Sequence, residues 1–378
     1  MPQNSRKRNQ MKNFSFLEFF AGSGLVAHAL KDYFYTIWAN DICPKKASVY
    51  ISNHGFGQLH LADICSVRGN LLPAANLSWA SFPCQDLSLA GLTGGIHAQR
   101  SGLVWEWLRI FDEMIEKPPI LVAENVAGLV STKNGMHYRV LHEALRERGF
   151  KVGAVILDAA LWVPQSRPRV FVIAVRDDLI IPPHLVSDGP TWLQPSTVVR
   201  AAKDLQNWLW WNLPKPDARQ QDLIDILEWD APCHDEETTQ RTLKLIPDRH
   251  MERLMQDDVV VAAGYKRTRN GKQVLELRFD GIAGCLRTPE GGSSRQFLVL
   301  KKDGVLKTRL LTIRETARLM GAPDTYELPG TYNDGYRAMG DAVAVPVAHF
   351  LAKQLLTPLA TVYTESLKTA NTEDRYVV

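Results

Sequence analysis

The sequence predicts an α/β fold, a sheet of buried strands interleaved with amphipathic helices, joined to a second, smaller unit of mostly irregular or β character. Three observations lead there. Short apolar runs ending in glycine or an acidic residue alternate with helical periodicity up to residue 180. From Ile181 the texture changes, with Pro182, Pro183, Pro190 and Pro195 and then five tryptophans between Trp192 and Trp229. At Leu311 the regular alternation returns. Residues 1–181 and 309–378 are therefore read as one domain and 182–308 as a smaller inserted one, an organisation that 378 residues can support.

The first run, Phe14 to Phe20, is too short for a helix and ends in Ala21-Gly22-Ser23-Gly24, after which Leu25, Val26, Ala29 and Leu30 recur at helical spacing. Strand, glycine turn and helix make a unit that lets a ligand approach bare backbone at a helix N-terminus. With only Gly-x-Gly present, an ordinary turn fits equally well. Tyr35 to Ala39 reads as the second strand and ends in Asn40-Asp41, where a carboxylate grips ribose hydroxyls in nucleotide-binding α/β folds. A helix around Lys45 to Asn53 leads to a short strand, Leu59 to Ala62. It ends in Asp63-Ile64, whose carboxylate is either an acceptor for an exocyclic amine or a helix N-cap.

The fourth strand runs through Leu77, Trp79 and Phe82 into Pro83-Cys84. Proline keeps the residue before it extended and restricts its own φ, which presents the Cys84 sulfur at a mouth; a buried structural thiol is the alternative. Gly91 to Gly102 is glycine-rich and polar, a composition suited to a lid, and Leu103 to Met114 is an amphipathic helix. Ile120 to Ala123 is continuous and apolar, as a central parallel strand should be, and ends in Glu124-Asn125-Val126. A carboxyl at the end of a buried strand is poorly solvated and holds a proton near neutral pH.

Met136 to Arg148 is a helix stopped by Gly149. Val152 to Leu157 and Val170 to Val175 are strands, read as an antiparallel pair, with Pro164-Gln165-Ser166-Arg167-Pro168-Arg169 between them. Arg167 and Arg169, two apart on an extended segment, point to one face and either grip a carbonyl or phosphate or are solvated. In the smaller unit, Asp280 to Gln296 sets glycines around Arg287, Ser293, Ser294, Arg295 and Gln296, a loop able to enter a groove. Thr312 and Glu315 form a capping box for a helix that stops at Gly321. Gly340-Asp341-Ala342-Val343 leads to a helix opened by Pro346, and the polar tail after Glu365 is expected to fray.

Composition narrows the function classes. With 45% hydrophobic and 22% charged residues and no apolar run of transmembrane length, the chain reads as a soluble globular protein with no membrane partner. The basic start (Arg6, Lys7, Arg8, Lys12) leads into a run that contains Glu18 and continues into glycines, not a cleavage site, so a cytoplasmic location is expected. Cys43, Cys65, Cys84, Cys233 and Cys285 are scattered and form no Cys-x-x-Cys pair, which argues against a disulfide framework, a zinc ribbon or any metal site. The net charge of +3 hides a split: twelve acidic against five basic residues from Asp217 to Asp258, and eleven basic against four acidic from Tyr265 to Arg309. A charge run is ordinarily a solvated face; interleaved with Tyr265, Phe279 and Phe297, the basic one also fits a nucleic-acid groove.

Taken together, the chain resembles the DNA (cytosine-5)-methyltransferase family of the bacterial restriction-modification type over nearly its whole length. The resemblance rests on five motifs in order: Phe20 to Gly24; Phe82-Pro83-Cys84-Gln85; Glu124-Asn125-Val126; Gln165 to Arg169; and Arg314-Glu315 through Gly321, followed by Gly340 to Val343. It implies a Rossmann-like domain binding S-adenosylmethionine and a smaller target-recognition domain for duplex DNA. The cofactor residues it implies are Phe20, Ala21, Gly22, Ser23, Gly24, Asp41 on the ribose, Ile42, Asp63 and Ile64 at the adenine, Pro83, Leu103, Asp341 and Ala342. Leu25 departs from a frequent glycine, and Asp341 from a frequent asparagine, adding a negative charge.

The resemblance also implies that Cys84 adds to C6 of a flipped cytosine while Glu124 protonates or hydrogen-bonds N3. Arg167 would hold O2 and help keep Cys84 ionised, supported by Gln165 and Arg169. Ser88, Arg287, Ser293, Ser294, Arg295 and Gln296 are the expected DNA contacts. A monomer is expected, either with a restriction endonuclease acting on the same site or as an orphan enzyme. A tRNA methyltransferase of the same fold is the nearest rival, but its characteristic Cys-Phe-Thr is missing where expected. A catalytically dead DNA-binding regulator fits poorly with Cys84, Glu124 and Arg167 all present.

Overall fold

The computed structural model describes residues 14–83, 102–288 and 295–373. Its centre is a seven-stranded sheet built from β1 (Phe14–Phe19), β2 (Phe34–Asp41), β3 (Leu59–Leu61), β4 (Leu77–Ser81), β5 (Ile120–Val126), β6 (Phe150–Asp158) and β7 (Pro168–Arg176). The strand order is β3-β2-β1-β4-β5-β7-β6. The first five are parallel, and β7 runs antiparallel to both β5 and β6, so the expected antiparallel pair is present.

Both faces of this sheet are covered, which is why its strands read as unbroken apolar runs. Successive strand residues face opposite sides: Phe14 and Phe16 enter one apolar cluster, Leu17 and Phe19 the other. The first cluster receives α1 (Leu25–Leu30) and α2 (Pro44–His54). The second receives α3 (Leu103–Glu113), α4 (Gly128–Ser131) and α5 (Met136–Arg146). In α2, Pro44 occupies the first turn, where its missing N–H costs nothing.

The boundary expected at residue 182 is not where the core divides. Residues after Pro182 form a short pair, β8 (Val186–Ser187) with β9 (Trp210–Trp211), and α6 (Ser196–Ala202). Leu185, Leu193 and Trp211 join one face of the large sheet, and Val198 and Ala201 the other. The prolines and tryptophans thus mark a strap bound to the large domain.

A separate small core is built later in the chain. Helices α7 (Glu236–Leu243) and α8 (Asp248–Leu254) pack on a four-stranded antiparallel sheet of β10 (Val261–Arg269), β11 (Lys272–Arg278), β12 (Gln296–Lys302) and β13 (Val305–Leu310), in the order β11-β10-β12-β13. Both hairpins close in two residues, Asn270-Gly271 and Asp303-Gly304, all four with positive φ. That backbone matches strand twist and is easiest for these residue types. Ala263, Leu298 and Leu300 carry the small sheet into the large core.

The chain then returns to the large domain through α9 (Ile313–Leu319), α10 (Tyr332–Asp341), α11 (Val345–Leu351) and α12 (Thr357–Glu373). The Thr312–Glu315 capping box forms as expected. Contrary to the expected fraying, α12 continues through the polar tail to Glu373. The helical run Tyr332–Thr369 is, against the sequence expectation, apolar and long enough for a membrane span by length and composition; more than half of its apolar stretch is buried in the protein.

Candidate active site

From β1 the chain builds β2 and β3 to one side, then returns through β4 on the other, so the connections leaving β1 and β4 diverge. Open α/β sheets hold ligands at such a point, beyond the carboxyl ends of the strands. A cleft of about 1020 Å³ opens there. Its floor is the turn after β1, where Phe20, Gly22 and Gly24 have φ of 58°, 57° and 80°. Phe20 is the unusual one, since a bulky side chain rarely enters the left-handed region.

Asp41 at the end of β2 pins this turn. One carboxylate oxygen accepts from the Gly22 amide at 2.8 Å and the other from the Cys43 amide at 2.8 Å. Each oxygen keeps a further lone pair for a ligand. Asp63 is indeed an N-cap, accepting from the Cys65 amide at 2.9 Å, and that hydrogen bond holds its pKa below the ordinary value. Asp341 carries the charge expected from the sequence, but Lys46 on α2 pairs with it at 2.6 Å and the Thr288 hydroxyl donates to it.

Every expected cofactor residue lines the cleft except Gly24, whose far side packs on His54 and Tyr50. Two strand-end carboxylates, a half-buried Phe20 and an Ile42 left 64% exposed at the wall suit vicinal hydroxyls, a flat base and a cationic centre. S-adenosylmethionine has all three.

On the neighbouring wall stands Glu124, six per cent exposed and opposite Ser81 in the strand register. Burial raises its pKa; the guanidiniums of Arg169 and Arg167 and the Ser81 hydroxyl pull the other way. Arg169 Nε lies 3.2 Å from Glu124 Oε1. The Asn125 side-chain amide donates to the Phe82 carbonyl at 2.9 Å, fastening the end of β4 to β5. Pro83 lines the cleft. Cys84 and Ser88 lie outside the described residues, as does the expected lid apart from Gly102.

The two arginines line the same cleft, as their spacing suggests, but take different partners. Arg167 precedes the first residue of β7, so strand alternation does not govern it. It is 2% exposed and donates to the carbonyls of Leu286 at 3.1 Å, Gly340 at 2.9 Å and Ala342 at 2.6 Å, and to the Cys285 thiol at 3.3 Å. Its terminal nitrogens are thus committed to three carbonyls from two segments, and Arg169 is the cation beside Glu124. Gln165, fully buried, touches neither guanidinium but holds Leu286, whose carbonyl Arg167 grips: its amide donates to the Leu319 carbonyl at 2.8 Å and its carbonyl accepts from the Leu286 amide at 2.9 Å.

Cys285, also on the cleft wall, has both arginines within reach, Arg169 Nη2 at 3.8 Å. Nothing in the sequence pointed to it, because it sits more than one hundred residues from either partner.

The expected DNA contacts divide. Arg287 is exposed on the cleft wall with its guanidinium 5.3 Å from the Tyr265 ring centre. Gln296 is not available to a groove: it is fully buried, exchanging bonds of 2.9 and 2.7 Å with the Gly284 backbone, while its own amide donates to the Tyr336 hydroxyl at 3.0 Å. Arg295 is half-buried and donates to the Asn333 side chain on α10. Ser293 and Ser294 lie outside the described residues. Part of the basic stretch is internally neutralised, with Arg267 and Arg269 on Glu276, Arg278 on Asp280 and Arg309 on Glu315.

Comparisons with known proteins agree with this geometry. The Type II methyltransferase M.HhaI of Haemophilus parahaemolyticus is 28% identical over 92% of this chain and 95% of its own. M.MspI of Moraxella is 26% identical over 96% of this chain and 75% of its own. Among solved structures, a Spodoptera frugiperda DNMT2 variant superposes with a TM-score of 0.63 at 20% identity, over 92% of this chain and 99% of that one. The S. pombe Dnmt2 methyltransferase gives 0.59 at 19% over the same shares, a likeness of fold. The profile of the C-5 cytosine-specific DNA methylase family matches residues 14–357, so the chain belongs to that family, enzymes that methylate cytosine in DNA at C5 with S-adenosylmethionine as methyl donor.

Proposed function

We propose that the chain methylates one cytosine within a specific duplex sequence by covalent catalysis, with Cys84 as nucleophile and Glu124 and Arg169 managing charge on the base. The observation that carries this reading is the Glu124–Arg169 pair at 3.2 Å, at the end of β5, on the same cleft as Pro83 and the glycine turn. Cytosine C5 is a poor nucleophile. Attack of the Cys84 thiolate forms an S–C6 bond and moves the C5–C6 π electrons toward C5, and Glu124 gives a proton or hydrogen bond to N3. S-adenosylmethionine, when bound, would supply the electrophilic methyl group to C5, its sulfonium S–CH3 bond breaking with S-adenosylhomocysteine as the leaving group. Loss of the C5 proton then restores the C5–C6 double bond and expels the thiolate.

Arg169 replaces Arg167 as the residue holding the base oxygen, because Arg167 is spent on backbone carbonyls. Reaching these groups requires the cytosine to leave the stack, at about a few kcal/mol. Arg287, with Ser88, Ser293 and Ser294, is the proposed DNA-contacting set, arginine to guanine being the commonest direct reading contact. The relatives' Type II names favour a partner endonuclease cutting the same site.

The test is transfer of labelled methyl from S-adenosylmethionine to a broad panel of duplex DNAs and to tRNA, for the intact chain and Cys84→Ser. Label in DNA, absent with Cys84→Ser while donor binding persists, is the expected result. A fully active Cys84→Ser protein refutes the nucleophile, and label in tRNA alone refutes the substrate.

A further inference from the structure

The cleft shows one side of the turn Phe20 to Gly24; its other side is held by residues that do not line the cleft. Tyr326, 2% exposed, donates its hydroxyl to the Ser23 carbonyl at 2.5 Å. His54, in the last turn of α2, places Nε2 2.9 Å from the Gly24 carbonyl and 3.3 Å from the Tyr326 hydroxyl. Since a carbonyl only accepts, the His54 nitrogen on Gly24 carries the proton. Gly24 has φ of +80°, and a Cβ there would lie 2.6 Å from the His54 ring and 2.9 Å from that of Tyr50.

The two gripping residues are themselves locked together. Asn53 donates to the Glu327 carbonyl at 2.9 Å and accepts from the Glu327 amide at 2.9 Å, and Arg314 on α9 donates to the Tyr326 carbonyl at 3.0 Å. The clamp therefore joins α2 to the segment after α9, with His54 and Tyr326 separated by 272 residues in sequence, and both close on the same turn.

We propose that Tyr326 and His54 are positioning residues for the methyl donor, acting through the backbone of the glycine turn. A trans peptide is planar, with its N–H opposed to its C=O. Drawing the Ser23 carbonyl onto Tyr326 directs the Gly24 amide the other way, onto the Ala21 carbonyl at 2.9 Å, and closes the turn. The Gly24 carbonyl accepts from His54 and from the His28 amide of α1, each at 2.9 Å, so the second peptide plane is held from α1 and α2 together. The clamp fixes two successive peptide planes against which the donor is held. Without it the turn keeps its sequence but loses its preset orientation, and binding must restore it.

This rests on the cofactor assignment and concerns affinity for the donor, so the measurement is donor KM and calorimetric Kd for S-adenosylmethionine beside kcat, DNA KM and melting temperature. Tyr326→Phe keeps the ring and removes the bond to Ser23. We expect its donor KM and Kd to rise about 5- to 20-fold, the effect of one lost bond to a buried carbonyl, with kcat at saturating donor and DNA KM within about twofold of wild type. His54→Leu should behave alike, and His54→Gln, which keeps a donor, should recover most of the affinity. Unchanged donor affinity in folded Tyr326→Phe and His54→Leu overturns the proposal. So does a loss spread equally over kcat and DNA KM, or one that follows melting temperature and is not rescued by His54→Gln. Failure of the wild-type protein to bind S-adenosylmethionine would instead strike the cofactor assignment.

Discussion

Replacing Arg169 by Gln tests which arginine holds the base, a role the family resemblance gave to Arg167. At 3.2 Å from Glu124, with side chains 15% and 8% exposed, the Coulomb attraction is about 5 kcal/mol at an effective dielectric near 20. Desolvation works against it, since burial is the largest influence on Glu124 and raises its pKa. Loss of Arg169 therefore raises that pKa further and frees the carboxyl to turn. Deleting one such preorganised group costs about 10²- to 10³-fold in kcat, and Arg169→Gln should fall in that range with its melting temperature near wild type. Activity that needs protonated Glu124 declines as pH rises through its pKa, so the alkaline limb of the kcat profile should move to higher pH in the variant. Arg167→Gln, by contrast, strands two buried carbonyls, each worth about 1–3 kcal/mol, and the half-buried one of Ala342, and should lower the melting temperature by several degrees. The assay is steady-state methylation at saturating donor from neutral to alkaline pH, paired with thermal melting. A folded Arg167→Gln enzyme with wild-type stability and no activity, beside an active Arg169→Gln enzyme, would return the base-holding role to Arg167.

Two further outcomes follow from buried carboxyls. Glu315 is fully buried and accepts from Arg309 at 2.6 and 2.7 Å and from the amides of Glu228 and Thr312 at 2.8 Å each. Arg309→Met should cost about 3–5 kcal/mol in denaturant unfolding, and adding Glu315→Leu should recover part of it; strictly additive losses would mean that the pair is not coupled. Glu18, last but one in β1, has both carboxyl oxygens without a hydrogen-bond partner among the described residues, with only the Ala27 backbone nearby to favour its charge. Burial and the nearby Asp41 charge raise its pKa well above 4.5. A raised folded pKa binds protons that the unfolded chain has released, so stability is full below that ordinary value and falls as pH rises toward the folded pKa. Glu18→Gln should flatten this slope in melting curves taken across pH, and an unchanged slope would assign it to other groups.

The element order, the glycine turn, the strand-end acids and the chemical types at the cleft were legible in the sequence because each is local. A buried strand must be apolar, a bare turn needs glycine, and a helix start wants a cap. Both two-residue hairpins, Asn270-Gly271 and Asp303-Gly304, follow the same local rule. What folding alone decided are pairings between distant segments. Arg167 and Arg169 have the same type and neighbouring positions, yet the strand begins between them, so one is packed into backbone carbonyls and the other left beside Glu124. Gln296 reads as a groove residue until the Gly284 backbone and Tyr336 close on it. Cys285 reaches the arginines, Lys46 reaches Asp341, and Tyr326 reaches Ser23 only in the assembled molecule. A charge or donor in a sequence has no fixed partner until burial removes water as the competitor, and the packing of the two cores chooses which partner remains.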